Sequence, residues 1–207
     1  MTARIPEPVI KRLPAYYRYL KDVENARQTF ISSAELAEKM GLTASQVRQD
    51  MNCAGAEGRQ GCGYPVSELC DHIGRLLGKA APQRMIVVGM GNMGKALVHH
   101  GTFLDDGYCI TAVFDCCPQV VGQTVGAYTV QPMENLEQML SALPADIAVI
   151  AVPASSAQEA ADRLYALGIR GFWNFAPIDL HLPQDAAVVN VHLDESLALL
   201  SYRLCHR

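Results

Sequence analysis

Residues 85–97 read MIVVGMGNMGKAL. An apolar run at 84–88 enters Gly89-Met90-Gly91-Asn92-Met93-Gly94, and helix-forming residues continue through Leu97 and Val98. In a strand–turn–helix each glycine has its own task. The first makes the tight turn, the second lets a diphosphate approach the backbone, and the third lets helix and strand pack closely. The anion then rests on the helix N-terminus, where unpaired N–H groups and the helix dipole favour negative charge. A bare G-x-G-x-x-G is a weak signal, and its place between a strand and a helix is what gives it weight. A second strand at 109–114 runs into Asp115, 26 residues beyond Gly89. That is close to the spacing at which a carboxylate takes the adenosine ribose and repels a 2′-phosphate, favouring NAD over NADP. The alternative is that Asp115 is a surface turn residue.

The rest of the C-terminal half continues the α/β alternation, with a helix at 133–143, a strand at 146–152 closed by Pro153, a helix at 156–167 and a strand at 171–173. That strand runs into Asn174-Phe175-Ala176-Pro177, and a last strand follows at 187–191. The strand ends at 152–154 and 174–177 border the crevice where open parallel sheets bind ligands, and Asn174 is placed to hydrogen-bond the ribose or the nicotinamide side. No Lys/Tyr or His/Asp pair suggests an acid or base for hydride transfer. His99 and His100 fall early in the first helix, and there is no room for a substrate domain. A ligand-binding regulator, with no catalytic residues, is the expectation. A final helix at 193–204 has an apolar stripe at Leu197, Leu200 and Leu204. It follows a sheet that is already complete, so it needs a partner surface; a second copy of the chain is the natural one.

The N-terminal half is of a different kind. Pro6 and Pro8 hold an extended start, and a helix at 9–26 places Ile10, Leu13, Tyr17 and Leu20 on one face, with Pro14 an interior complication. Ser32 with Glu35 forms a capping box for a second helix, SAELAEKM, that Gly41 ends; Thr43 with Gln46 repeats the pattern for a third at 44–53. These are the dimensions of a helix-turn-helix, whose second helix enters the major groove. Ser45, Gln46, Arg48 and Gln49 would face the bases: Arg48 suits guanine or phosphate and Gln49 suits adenine. GAEGRQGCGYP at 55–65 reads as a wing with Arg59 and Gln60 near its tip, and a helix at 67–77 closes the module. The competing reading is a helical dimerisation domain with Arg48 merely solvated.

Composition sets the outer limits. The 207 residues suffice for two small domains, and half are apolar. No apolar run is long enough for a membrane span and no secretory pattern opens the chain, so a cytoplasmic location is expected. Seven cysteines without paired C-x-x-C spacing argue for free thiols over a zinc site. Residues 1–82 hold 11 Lys and Arg against 9 Asp and Glu (+2), while 83–207 hold 6 against 12 (−6). The basic excess is small, but phosphate attraction depends on the local face.

Along nearly its whole length the chain resembles the Rex family of redox-sensing transcriptional repressors. The resemblance is carried by Ile5-Pro6 with IKRLP at 10–14 and YYRYL at 16–20, by SAEL at 33–36, by Gln46-Val47-Arg48 and by Gly61 with Gly63-Tyr64. In the second half it is carried by the glycine motif, Phe114-Asp115, AVPA at 151–154, NFAP at 174–177 and Leu200-Ser201-Tyr202. It implies an α/β architecture: a winged helix-turn-helix domain (1–78), a linker (79–83), a Rossmann-like parallel-sheet domain (84–192) and a domain-swapped C-terminal helix (193–207) in a homodimer. It also implies a repressor that binds double-stranded operator DNA and leaves it when NADH binds, with NAD⁺ competing for the site. Gly89, Gly91, Asn92, Met93, Gly94 and Asp115 would hold the adenosine diphosphate part of NAD(H), with Pro153, Ala154, Asn174 and Ala176 nearer the nicotinamide. Arg12, Arg18, Gln46, Arg48 and Arg59 would make or support DNA contact.

The departures from the family pattern cluster at functional positions. Gln49 stands where a second arginine is usual, Met51-Asn52-Cys53-Ala54-Gly55 replaces an aromatic segment, and Arg59-Gln60 replaces Lys-Arg in the wing. His100 takes the place of a tyrosine and His192 that of an aspartate, at positions that in the family couple nicotinamide state to domain orientation. The alternative is therefore a divergent paralogue that binds NAD(H), or less readily coenzyme A, without recognising the standard operator.

Overall fold

The structure, a computed structural model, describes residues 5–100, 103 and 107–206. It divides into two compact units, Met1–Ala81 and Pro82–Arg207.

The first unit is a winged helix. Its elements are α1 (Glu7–Asn25), β1 (Phe30–Ile31), α2 (Ser33–Met40), α3 (Ala44–Cys53), β2 (Tyr64–Pro65) and α4 (Val66–Leu76), with β1 and β2 pairing antiparallel at the base of the wing. The capping box of α2 is complete: Glu35 N–H donates to Ser32 Oγ at 3.1 Å, and Ser32 N–H donates to the Glu35 carboxylate at 2.7 Å. Gly41, at φ +64°, makes the left-handed turn that ends α2. Helix α1 runs unbroken through Pro14, which is exposed, as is Ile10 one turn earlier, so the turn that loses a backbone bond lies on the solvent face. The apolar face is rotated from the expected one. Val9, Leu13, Tyr16, Leu20 and Val23 are buried, whereas Ile10 is exposed and Tyr17 only half-buried.

One buried carboxylate ties α1 to the recognition helix. Asp50, on the inner face of α3, is fully buried. It accepts hydrogen bonds from Arg12 Nε at 2.7 Å and Nη2 at 2.6 Å, from the Tyr16 hydroxyl at 2.9 Å and from Gln46 Nε2 at 3.0 Å. Burial alone would raise the Asp50 carboxyl. The hydrogen bonds from Arg12, Gln46 and Tyr16, with the Arg12 charge, outweigh it and hold the group below its ordinary value.

The second unit is a parallel sheet with helices on its faces. It contains β3 (Gln83–Val88), α5 (Asn92–Val98), β4 (Tyr108–Asp115), β5 (Thr124–Val125), β6 (Tyr128–Thr129), β7 (Gln131–Pro132), a 3₁₀ turn (Met133–Asn135), α6 (Leu136–Ala142), β8 (Ile147–Ile150), α7 (Ala154–Ala166), β9 (Gly171–Asn174), β10 (Ala187–Asn190) and α8 (Leu193–Cys205). The strand order is β10-β9-β8-β3-β4-β7, parallel throughout, so the order reverses between β3 and β8. Alternate residues serve opposite faces: Ile86, Val88, Phe114 and Ile150 pack with α6 and α7, while Met85, Val87, Val113 and Val149 pack with Leu97 of α5. The short hairpin β5–β6 and edge strand β7 were not anticipated. They are two-residue elements, too brief to leave a periodic pattern.

Helix α8 buries none of its residues. Leu193, Leu197, Leu199, Leu200, Tyr202 and Leu204 are 52–65% exposed. No described helix is long and apolar enough to cross a membrane.

Asp50→Asn is expected to cost the first unit about 3 kcal/mol, the low end for breaking a buried ion pair, because Arg12 keeps partial access to water. The folded pKa of Asp50 lies below its unfolded value of about 3.9. Its contribution is therefore complete above that value and is lost as pH falls through the folded one. Melts followed by circular dichroism should show a parent–variant gap that is constant near neutrality and closes below about pH 4. No gap at pH 7 would contradict the clamp.

Candidate nucleotide pocket and DNA-reading face

The glycine loop lies at the carboxyl edge of the sheet, beside the point where strand order reverses. Gly89 has φ +97°, and a Cβ there would run into the Ala151 carbonyl at the end of β8. A Cβ on Gly94 would collide with the Gly89 carbonyl oxygen, which is the close helix–strand contact expected of the third glycine. Gly91 is the opposite case: a Cβ there would meet nothing within 4 Å. It opens α5 without a side-chain cap, so no side chain occupies the first-turn amides. Open space over uncapped amides is what a diphosphate requires.

Asp115, the last residue of β4, is not an idle turn residue. Its carboxylate accepts the Met90 N–H at 2.6 Å and the Cys117 N–H at 2.7 Å, fastening the glycine loop to the neighbouring strand. Each oxygen retains acceptor capacity for ribose hydroxyls. A groove of about 550 Å³ opens here, bringing together Gly89, Gly91, Asp115 and Pro153 of the expected residues. Asn92, Met93 and Gly94 lie in the first turn of α5, with Met93 packed into the core, and Ala154 opens α7. The groove also has walls that the motif reading missed: Cys116, Cys117, Val120, Met133, Glu134, Ser156, Glu159, Ala160 and Arg163. Ser156, Glu159, Ala160 and Arg163 stand at helical i, i+3, i+4, i+7 spacing, a signal legible once α7 was placed beside the crevice.

Two expected ligand residues are buried, with no side-chain surface free at the groove. Asn174 is fully buried, and its side chain is spent inside the protein. Its Oδ1 accepts the Ala176 N–H at 3.0 Å, and its Nδ2 donates to the Ile178 carbonyl at 2.6 Å and to Asn190 Oδ1 at 2.9 Å. It pins the segment after β9 to β10 and has no amide to offer a ribose or nicotinamide. Ala176 is equally buried, in the sheet core. A strand end at the crevice suggests contact from its position alone, whereas polar groups of the following turn and of β10 claim the amide.

His100 stacks on Phe103 with ring centroids 4.8 Å apart, and the aromatic series continues through Trp173 to Phe175. His192, immediately before α8, pairs through Nε2 with Asp179 Oδ1 at 2.9 Å. That hydrogen bond and the negative charges of Asp179, Glu195 and Asp194 raise its pKa. The acidic first turn of α8 offsets the cost of a cation at a helix N-terminus.

In the first unit Ser45, Arg48 and Gln49 are exposed on α3, as expected of a reading helix, and Arg18 is exposed on α1. Arg48, which also donates to Ser33 Oγ at 3.1 Å, lines a groove of about 710 Å³ between α3 and the wing, together with Asn52, Arg59 and Gln60. Two expected contact residues are turned elsewhere. Arg12 and Gln46 converge on Asp50, and Gln46 therefore does not complete a capping box at Thr43, although its N–H is capped by Thr43 Oγ1 at 3.1 Å. Arg59 lies over the Phe30 ring and pairs with Glu68 at 2.9 Å, but both side chains of that pair are exposed and Arg59 stays on the groove. The seven cysteines are free, and no metal-binding cluster occurs among the described residues.

A winged helix joined to a dinucleotide-type α/β unit is the build of a ligand-responsive DNA-binding regulator. Family models agree on both halves: one described as "Putative DNA-binding protein N-terminus" matches residues 4–52, and one described as "CoA binding domain" matches 80–178. The redox-sensing transcriptional repressor Rex of Clostridium botulinum (strain Alaska E43 / Type E3) is 46% identical over 95% of this chain and 93% of its own. That of Thermoanaerobacter pseudethanolicus is 41% identical over 97% and 90%. Among solved structures, RSP, a Rex-family repressor, shares 39% identity at a TM-score of 0.88, covering 98% of this chain and 94% of its own. RSP in complex with beta-NAD+ and operator DNA shares 40% at 0.91, covering 98% and 93%. The chain belongs to the Rex family of redox-sensing transcriptional repressors. It is accordingly a regulator and not an enzyme.

Gly91→Ala should change the melting temperature far less than a substitution at Gly94, because a Cβ at Gly91 meets nothing within 4 Å. Gly94→Ala should lower the melting temperature even though alanine favours a helix by about 1 kcal/mol over glycine. Equal melting temperatures for the two variants would contradict the roles assigned here. For His192, an NMR titration should give a midpoint above the ordinary value of about 6.5, returning toward it in Asp179→Asn. Because the folded pKa is raised, the pair contributes below the unfolded value and is lost as pH rises through the folded one. An unshifted midpoint in the parent would remove the pair.

Proposed function

We propose that this chain is an NADH/NAD-responsive repressor that binds operator DNA through its winged helix and leaves it when NADH occupies the glycine-loop groove. The observation that carries this reading is the groove itself. Gly91 leaves open space over uncapped amides, and Asp115 stands at the adjoining strand end. Of the residues lining it, Asp115, Glu134 and Glu159 are acidic and only Arg163 is basic. An adenosine end bearing an extra phosphate is disfavoured there, at the 2′ position in NADP and at the 3′ position in coenzyme A alike. NAD(H) carries no such phosphate. When bound, it would supply a nicotinamide whose redox state the protein reads.

The dimer is a second copy covering the exposed face of α8 by exchange of that helix, which supports pairing of two recognition helices on a twofold operator. A repressor acts where the DNA is, and we place it in the cytoplasm. One observation favours a shifted operator preference. With Arg12 and Gln46 committed to Asp50, base reading falls on Ser45, Arg48 and Gln49, with Arg18 and Arg59 left to support phosphate contact.

Calorimetric titration should find NADH and NAD⁺ binding, NADPH weaker, and coenzyme A unable to displace NADH. Displacement of NADH by coenzyme A at comparable concentration would overturn the cofactor assignment. Arg48→Ala should weaken operator binding by about 1–3 kcal/mol and relax sequence preference. Leu197→Glu with Leu200→Glu should convert dimers to monomers in sedimentation velocity; an unchanged dimer would place the interface elsewhere.

A further inference from the structure

The wall of the nucleotide groove contains two adjacent free thiols. Cys116 is exposed, Cys117 is half-buried, and both line the cavity directly after Asp115. The Cys117 N–H is bonded to the same carboxylate that holds the glycine loop, while its Sγ donates to Gln119 Oε1 at 2.9 Å. Two neighbouring cysteines invite an internal disulfide, but the backbone opposes it. No cis peptide occurs among the described residues, and consecutive Cα atoms across a trans peptide stand about 3.8 Å apart, short of the roughly 4.4–6.8 Å that a disulfide spans. A metal ion fares no better, since no third His, Cys, Asp or Glu completes a cluster among the described residues. The chemistry left to these thiols is with a small molecule in solution.

We propose that Cys116 and Cys117 form a thiol–disulfide exchange site in the wall of the nucleotide groove, where a low-molecular-weight disulfide leaves a mixed disulfide that shuts out the nucleotide. The Cys116 thiolate attacks one sulfur of the disulfide RSSR. A protein–S–S–R bond forms as the S–S bond of RSSR breaks, the other half leaves with the bonding pair as RS⁻, and the proton lost from Cys116 goes to solvent. In most paired-cysteine sites the second thiol would then attack the adduct and release the remaining RS⁻. Here that step would close the disfavoured bond between neighbours, so the adduct persists until an outside thiol removes it. Its bulk lies beside Asp115, where the ribose would bind. The groove thus takes two redox inputs, the nicotinamide state and the thiol–disulfide state of the surrounding solution, and the second overrides the first. This inference rests on the groove being the nucleotide site.

The test treats the purified full-length protein with cystamine, a cationic disulfide suited to the acidic wall, maps the adducts by peptide mass spectrometry and titrates NADH before and after. Trp173, the one tryptophan of the chain, serves as fluorescence donor to the bound nicotinamide. The expected result is an adduct at Cys116 or Cys117 that forms slowly when NADH is saturating, loss of NADH binding in the adducted protein, and recovery with dithiothreitol. In Cys116→Ser with Cys117→Ser, treatment should no longer change NADH affinity relative to the same variant untreated, whatever that affinity is. Two results would overturn the proposal while leaving the groove assignment intact. One is full modification of the pair with unchanged NADH affinity. The other is no modification of the pair under conditions that modify Cys62, which is exposed in the wing. Absence of NADH binding in the untreated protein is a separate result, and it removes the nucleotide reading and this proposal together.

Discussion

The buried carboxylate of Asp50 is the constraint on which the placement of α3 depends. A helix of ten residues needs tertiary contacts to hold its angle, and the apolar contacts of Val47 and Met51 carry little directional preference. Four hydrogen bonds from two helices meeting on one buried carboxylate are directional. They fix the helical phase of α3, so that Ser45, Arg48 and Gln49 share the outward face. Burying a charge is costly, and the cost is tolerated here because every lone pair is used and the opposing guanidinium is bidentate. An apolar residue of similar volume would pack as well without specifying the rotation.

A second carboxylate performs the same office in the cofactor unit. Asp115 holds the glycine loop from the neighbouring strand, and the loop in turn leaves Gly91 bare over the start of α5. The switch in strand order between β3 and β8 opens the crevice beside it. On the proposed assignment the same carboxylate, with Glu134 and Glu159, would disfavour an adenosine end that carries an added phosphate and accept hydrogen bonds from one that carries only hydroxyls.

Much of this was legible in the residues before any coordinates. The glycine loop, the capping box of α2 and the strand ending in Asp115 are local patterns in which spacing and chemistry agree, and the structure keeps each of them. What escaped was the destination of long polar side chains. Arg12 and Gln46 have the composition of DNA contacts; nothing in α1 reveals that Arg12 meets an aspartate 38 residues away, and the i, i+4 spacing of Gln46 and Asp50 in α3 does not say that Asp50 is buried. Asn174 likewise looks available at a strand end until the turn beyond it is built and claims its amide. In α1 the stripes Ile10, Leu13, Tyr17, Leu20 and Val9, Leu13, Tyr16, Leu20 are equally good by spacing, and the second is the one buried. Tertiary contact chose between them. The two-residue strands β5, β6 and β7 are too short for periodicity to register at all.

The most direct test of the account is the fluorescence anisotropy of a family-type palindromic operator and a scrambled duplex, titrated with the protein at fixed salt with and without NADH. The account predicts tight binding to the palindrome, weak binding to the scrambled duplex, and loss of the tight complex as NADH is added. Equal weak binding to both duplexes, unmoved by NADH, would contradict it and would leave a nucleotide-binding relative that no longer reads the standard operator.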